Sequence, residues 1–227
     1  MKKKKIIIIT DVLVLLIIAA IVYYSNSSRS KTVKAYNNSG LAKNNLGQDK
    51  EAIKDYDKAI KLNPNNATLY YNRGISKGNL AQYKEGIKDF DKVIELDSAY
   101  TIAYYYRGVS KCLIEQYKEA IEDLSKAIES DSQNCKAWGL RGRAKFELKQ
   151  YKKAIKDFDK VIELNPKCIS TYNNLGCSKT ELKQYKAARI DLLKAKELAE
   201  EQKDKEQLKM VEESLQELDE AEKKTVK

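Results

Sequence analysis

Residues 101–134 read TIAYYYRGVSKCLIEQYKEAIEDLSKAIESDSQN, and residues 135–168, CKAWGLRGRAKFELKQYKKAIKDFDKVIELNPKC, repeat the pattern without an insertion or deletion. Both carry an aromatic at their fourth position (Tyr104, Trp138), glycine at the eighth (Gly108, Gly142), alanine at the twentieth (Ala120, Ala154) and a large apolar residue at the twenty-fourth (Leu124, Phe158). The same 34-residue step places Gly40 and Gly74 before this stretch and Gly176 after it. Five copies follow, 33–66, 67–100, 101–134, 135–168 and 169–202. A strict repeat of this length is one supersecondary unit copied in tandem, in which no copy buries its apolar face alone. Helical spacing occurs twice per copy, in Tyr104, Gly108 and Lys111 and again in Tyr117, Ala120, Ile121, Leu124, Ala127 and Ile128, so each copy is expected to be an antiparallel helix pair.

Recurrent residue sizes suggest how the pair closes. The glycine at position 8 is expected to face Ala52, Gly86, Ala120, Ala154 or Ala188 at position 20. The aromatics Tyr36, Tyr70, Tyr104, Trp138 and Tyr172 are expected opposite Tyr56, Phe90, Leu124, Phe158 and Leu192, matching small with small and large with large. Arg73, Arg107 and Arg141 at position 7 are placed to form an ion-pair ladder with the aspartates at position 23, Asp55, Asp89, Asp123, Asp157 and Asp191. Lys43, Lys77, Lys111, Lys145 and Lys179 at position 11 read as solvated.

Those residues closely resemble the tetratricopeptide repeat family from 33 to about 200, with Ala59, Ala127 and Ala195 at position 27 and Pro64 and Pro166 at position 32 adding to the match. The resemblance implies an all-α, right-handed solenoid of five helix pairs. Departures are the position-11 lysines in place of an aromatic, Gly86 in place of alanine, and Ser98, Ser132 and Glu200 in place of proline. It also implies that function lies on a concave face lined by the first helix of each pair. On this chain the positions concerned are Tyr71 and Ile75 in the second copy, Ile102, Tyr105, Tyr106, Val109 and Leu113 in the third, and Leu140, Arg143 and Phe146 in the fourth. The first and fifth copies are polar there, with Asn37, Asn38, Asn173 and Asn174 among others. Aromatics beside Asn and Arg suit a groove for a protein or peptide segment, while burial of the tyrosines against neighbouring copies is the other reading. The cationic clamp by which some members of the family grip acidic chaperone tails is missing in every register: the first offers Asn37, Leu41, Asn72, Ile102 and Tyr106.

At the N-terminus a different signal stands. Lys2, Lys3, Lys4 and Lys5, in the basic segment 1–5, precede an apolar run over 6–24 broken only by Thr10 and Asp11. Nineteen helical residues reach roughly 28 Å, enough to cross a bilayer. This predicts one transmembrane signal anchor with the N-terminus cytoplasmic and the repeats periplasmic or extracellular, although a cleaved and secreted form stays open. The polar residues 25–33 read as a linker in which the helix ends.

Beyond the repeats, 203–223 reads as a helix that caps the last copy, ahead of a short tail over 224–227. Asp204 with Gln207 has the form of a capping box, and Leu208, Val211, Leu215 and Leu218 make one apolar stripe. The alternative for that stripe is a coiled-coil seam, which would make the chain a self-associating structural solenoid of the cell envelope.

Composition closes other routes. The chain has no His, and nothing in it resembles a phosphate-binding loop or a nucleophile with its base, so no enzyme, cofactor or metal site is expected. Its net charge of +10 is interleaved with acid outside the N-terminus, which argues against nucleic acid. Cys112, Cys135, Cys168 and Cys177 lack a CxxC spacing and read as small core fillers rather than disulfides.

Overall fold

The computed structural model describes the backbone of residues 2–225 and the side chains of residues 15–224. Among the described residues every regular element is helical. Two compact units form, Met1–Asp97 and Ser98–Lys227. The first holds α1 (Lys2–Asn45), α2 (Asp49–Leu62), α3 (Ala67–Asn79) and α4 (Tyr83–Leu96). The second holds α5 (Thr101–Leu113), α6 (Tyr117–Ser130), α7 (Cys135–Glu147), α8 (Tyr151–Leu164), α9 (Ile169–Glu181), α10 (Tyr185–Gln202) and α11 (Lys205–Thr225). Within each unit the helices pair with their chain neighbours, and α11 also packs on α9.

The tight turn inside each pair is made by backbone geometry that the sequence conceals. Gly47, Ala81, Glu115, Lys149 and Lys183, all at the fifteenth position of their copies, have φ values of 57 to 72°. Only Gly47 adopts that left-handed conformation without a steric penalty. The others are held there because the next amide closes a helix-terminating bond, as Gln82 N–H does to the Lys77 carbonyl at 2.9 Å and Gln150 N–H does to Lys145 at 2.9 Å.

The glycines at position 8 do not face position 20 alone. A Cβ on Gly142 would lie 2.6 Å from Phe158 Cε1, and one on Gly176 would lie 2.5 Å from Leu192 Cγ. Small therefore meets large: each glycine removes the atom that would clash with the big residue at position 24, and position 20 rests on the glycine's backbone. A Cβ on Gly86 would sit 3.3 Å from the Gly74 carbonyl oxygen. Phe158, Ala154 and Leu175 close one such cluster, with Phe146 against it.

The lysines at position 11, expected to be solvated, instead turn back onto buried acids. Lys77, Lys111 and Lys145 reach Asp89, Asp123 and Asp157 at 2.7, 2.7 and 2.6 Å, with their side chains largely covered. Arg73, Arg107 and Arg141 reach the same three aspartates, so each carboxylate is shared by two cations from the preceding helix. The fifth copy has Leu175 where the arginine would be, leaving Asp191 with Lys179 at 2.5 Å. Long stems lie on the helix surface and carry the charge back to the buried acid, a reach that residue spacing does not reveal.

Residues 25–33 are not a break, since α1 runs unbroken from Lys2 to Asn45. They contain neither Pro nor Gly, and Arg29 Nε donates to the Leu62 carbonyl at 2.6 Å, tying this stretch to the end of α2. Polarity there marks exposure, not a loss of helix. The expected membrane span over 6–24 lies partly outside the described side chains, which exclude residues 1–14, as they exclude the end of the tail at 225–227. Among the described residues no helix is long and apolar enough to cross a membrane.

Asp204 accepts the Gln207 backbone N–H at 3.0 Å and so caps α11. Val211 and Leu218 are wholly buried, the first with Ala195, Leu198 and Ala199, the second with Ala188 and Leu192. The coiled-coil reading of the stripe fails for that reason: its apolar face is already covered by α9 and α10.

Candidate functional site

Helices α5 and α7 of the second unit carry the residues singled out from the third and fourth copies, and α9 packs beside α7. Tyr105 packs against the cluster of Leu124, Ile128 and Ala137, and its ring meets Tyr106 edge-on at 5.1 Å. Burial and the neighbouring Tyr106 hold the Tyr105 phenol above its ordinary pKa. Phe146 packs edge-on against Tyr151 at 5.3 Å. Tyr105 and Phe146 are thus half structural, packed against a buried cluster and also lining a hollow.

Three hollows follow this face. One of about 140 Å³ brings Val109, Leu113, Leu140 and Arg143 together beside Cys112 and Tyr117. A wider one of about 560 Å³ has Tyr105, Leu140 and Arg143 on its wall with Lys136, Asn165 and Asn174. The third, about 300 Å³, is bordered by Phe146, Arg143, Asn173 and, from α11, Gln207 and Met210. Arg143 belongs to all three. Leu113 is 54% exposed and Ile102 41%, but Ile102 lines none of these hollows, nor does Tyr106. Tyr71 and Ile75 stand on α3 of the first unit, both half-buried, with the Tyr71 ring 6.3 Å from Phe90.

Some lining residues escaped the repeat reading. Gly139 occupies the fifth position of its copy, where Tyr71, Tyr105 and Asn173 carry side chains, and the widest hollow opens over it. A Cβ there would come no nearer than 3.8 Å to Val161. The missing side chain was a legible signal, because a glycine outside the repeat glycines in mid-helix leaves a hole where its neighbours have bulk. Met210 and Gln207 carried no such signal, since they come from α11, outside the repeat.

All four cysteines are free thiols. Burial pushes the Cys112 thiol up to about 11, with Arg143 pulling weakly the other way. In a variant that keeps only Cys112, alkylation by iodoacetamide at pH 8 should run about a hundredfold slower than for a free thiol, because only the thiolate reacts. A rate within about threefold of a free thiol would show that this wall of the hollow is open to water. Among the described residues no group of three or more His, Cys, Asp or Glu is placed to hold a metal ion.

Comparison with known proteins agrees with this geometry. Residues 40–80 match a family profile described as TPR repeat, and residues 67–100, 135–168 and 169–202 match profiles described as tetratricopeptide repeat. No curated protein sequence matches the chain. Among solved structures, residues 41 to the end of MamA from Desulfovibrio magneticus RS-1 align with a TM-score of 0.73 at 27% identity, covering 75% of this chain and 97% of that one. Another MamA crystal structure gives 0.73 at 25% identity over 78% and 97%. YrrB, whose structure is described as a TPR protein with an unusual peptide-binding site, gives 0.70 at 24% identity over 78% and 90%, a likeness of fold.

Proposed function

Because the chain belongs to the tetratricopeptide-repeat family, we propose that it is a membrane-tethered scaffold that holds an extended or helical protein segment on the α5–α7–α9 face. The observation that carries this reading is the set of hollows sharing Arg143, in which apolar side chains of Val109, Leu113 and Leu140 stand beside a few polar groups. Such a surface offers contact area together with hydrogen-bonding partners for a backbone, and its widest hollow is open along one side. In the first unit the half-buried Tyr71 and Ile75 occupy on α3 the repeat positions that Tyr105 and Val109 occupy on α5.

Tethering rests on the sequence of 1–24, with four lysines ahead of the apolar run. Continuity of α1 into the first repeat adds a mechanical consequence, for a helical stalk without a Pro or Gly hinge would hold the repeats at a set distance from the bilayer. Self-association through the C-terminal helix is the weaker reading, since Val211 and Leu218 are consumed inside the chain.

A photo-crosslinking residue at position 113, on the proposed face, should capture a partner in intact membranes, whereas the same residue in place of Lys160 on α8 should not. Equal capture from both positions, or none from 113, would overturn the docking face. Protease added to intact cells should cut residues 35–227 if the repeats lie outside the cytoplasm, and protection of that region would reverse the topology.

A further inference from the structure

The chain has six arginines, and five of them are engaged. Arg29 donates to the Leu62 carbonyl, Arg73 to Asp57 and Asp89, and Arg107 to Asp123. Arg141 donates to Asp157 and Ser125, and Arg189 to Asp219 and Glu222. Arg143, two residues from Arg141 and on the other side of α7, makes no hydrogen bond or ion pair among the described residues, and it borders all three hollows. Glu147, one turn further along α7, shares two of those hollows without pairing to it. Lys136 on the wall of the widest hollow is a second cation, so the lining carries more positive than negative charge.

A guanidinium bordered by Leu140, Phe146 and Tyr117 is poorly screened once a ligand covers it, and its planar fork is made for a carboxylate. A second group points to what surrounds that carboxylate. Asn173 is only 8% exposed, its carboxamide oxygen has no donor among the described residues, and the residue lines the hollow that Arg143 and Phe146 share. An orphaned amide acceptor of this kind is satisfied by an N–H, which every peptide unit but proline carries.

We propose that the segment held on the α5–α7–α9 face carries an acidic side chain that pairs with Arg143, flanked by apolar residues and with a backbone N–H directed at Asn173. Arg143 is then the residue that selects the partner, while the tyrosines and leucines supply contact area. This rests on the docking face proposed above.

The test is selection from a phage-displayed library of random dodecapeptides on the full-length chain in detergent, run in parallel on Arg143→Glu. Enriched peptides should share Asp or Glu at one register beside apolar residues, and the variant should select Lys or Arg at that register. A synthetic peptide of the enriched sequence should bind the variant about tenfold more weakly or worse, with both proteins melting alike, because Arg143 has no hydrogen bond or ion pair among the described residues to lose. If peptides are enriched without an acidic position, or the same peptides are enriched on both proteins, the pairing with Arg143 is wrong and the docking face stands. If nothing is enriched over a control protein, both fall.

Discussion

Asp157→Ala is expected to lower the free energy of unfolding by about 3–5 kcal/mol, the usual effect of removing one partner from a buried ionic cluster. The side chain of Asp157 is 3% exposed and accepts from Arg141 Nε at 2.9 Å, Arg141 Nη2 at 2.8 Å and Lys145 Nζ at 2.6 Å. Without it two cations are left together in a largely covered site. Asp159, nearby on α8, is the control. It has no arginine opposite because Leu175 stands in that place, and its carboxyl is held above its ordinary pKa first by burial and then by Asp191, against the pull of Lys179. Its ionised form is therefore not favoured by folding, and Asp159→Ala should be near neutral at pH 7. Urea titrations followed by circular dichroism would compare the two, and a loss under about 1 kcal/mol for Asp157→Ala would show that the cluster is better solvated than its geometry indicates.

The same variant has a pH signature. Lys145 is held below the ordinary lysine pKa by burial, which outweighs its bond to Asp157. Removing Asp157 deletes the favourable partner and leaves Arg141 opposing the charge, so the folded pKa should fall further. The unfolded chain then binds more protons than the folded one between the folded pKa and the ordinary lysine value, and stability rises with pH across that window. The deficit of Asp157→Ala against the parent should shrink between pH 7 and pH 10.

Phe158→Ala should cost about 3–5 kcal/mol, through lost apolar burial and the cavity left behind. Phe158 is 1% exposed and lies over Gly142, with Ala154 and Leu175 beside it. The diagnostic result is the effect of Gly142→Ala in the two backgrounds. With Phe158 present, the new methyl meets the ring at 2.6 Å, and overpacking of about 1–3 kcal/mol exceeds the gain of about 1 kcal/mol in helix propensity. With Phe158 removed the methyl enters vacated space, and the same change should stabilise by up to about 1 kcal/mol. A double-mutant cycle reads that change of sign as a coupling between the two positions. Additive effects would mean that glycine and ring are not in contact.

The 34-residue period, the two helices in each copy and the cap over Leu208 to Leu218 were legible because each depends on which residues recur along one face of one helix, and periodicity records that directly. Most of the candidate face was legible too, with Tyr105, Val109, Leu113, Leu140, Arg143 and Phe146 brought together on hollows of one unit. Polarity misled at 25–33, where Ser and Asn signalled a break that no Pro or Gly enforces.

Tertiary structure alone decided the rest. Which large residue each glycine receives, where Lys77, Lys111 and Lys145 place their charge, and that Arg141 finds Asp157 while Arg143 has no ion-pair partner among the described residues are all matters of distance between side chains on different helices. Such distances depend on crossing geometry and on how far a flexible stem extends. The order of residues along the chain determines which faces are apolar, and only the packed backbone determines which atoms on those faces meet.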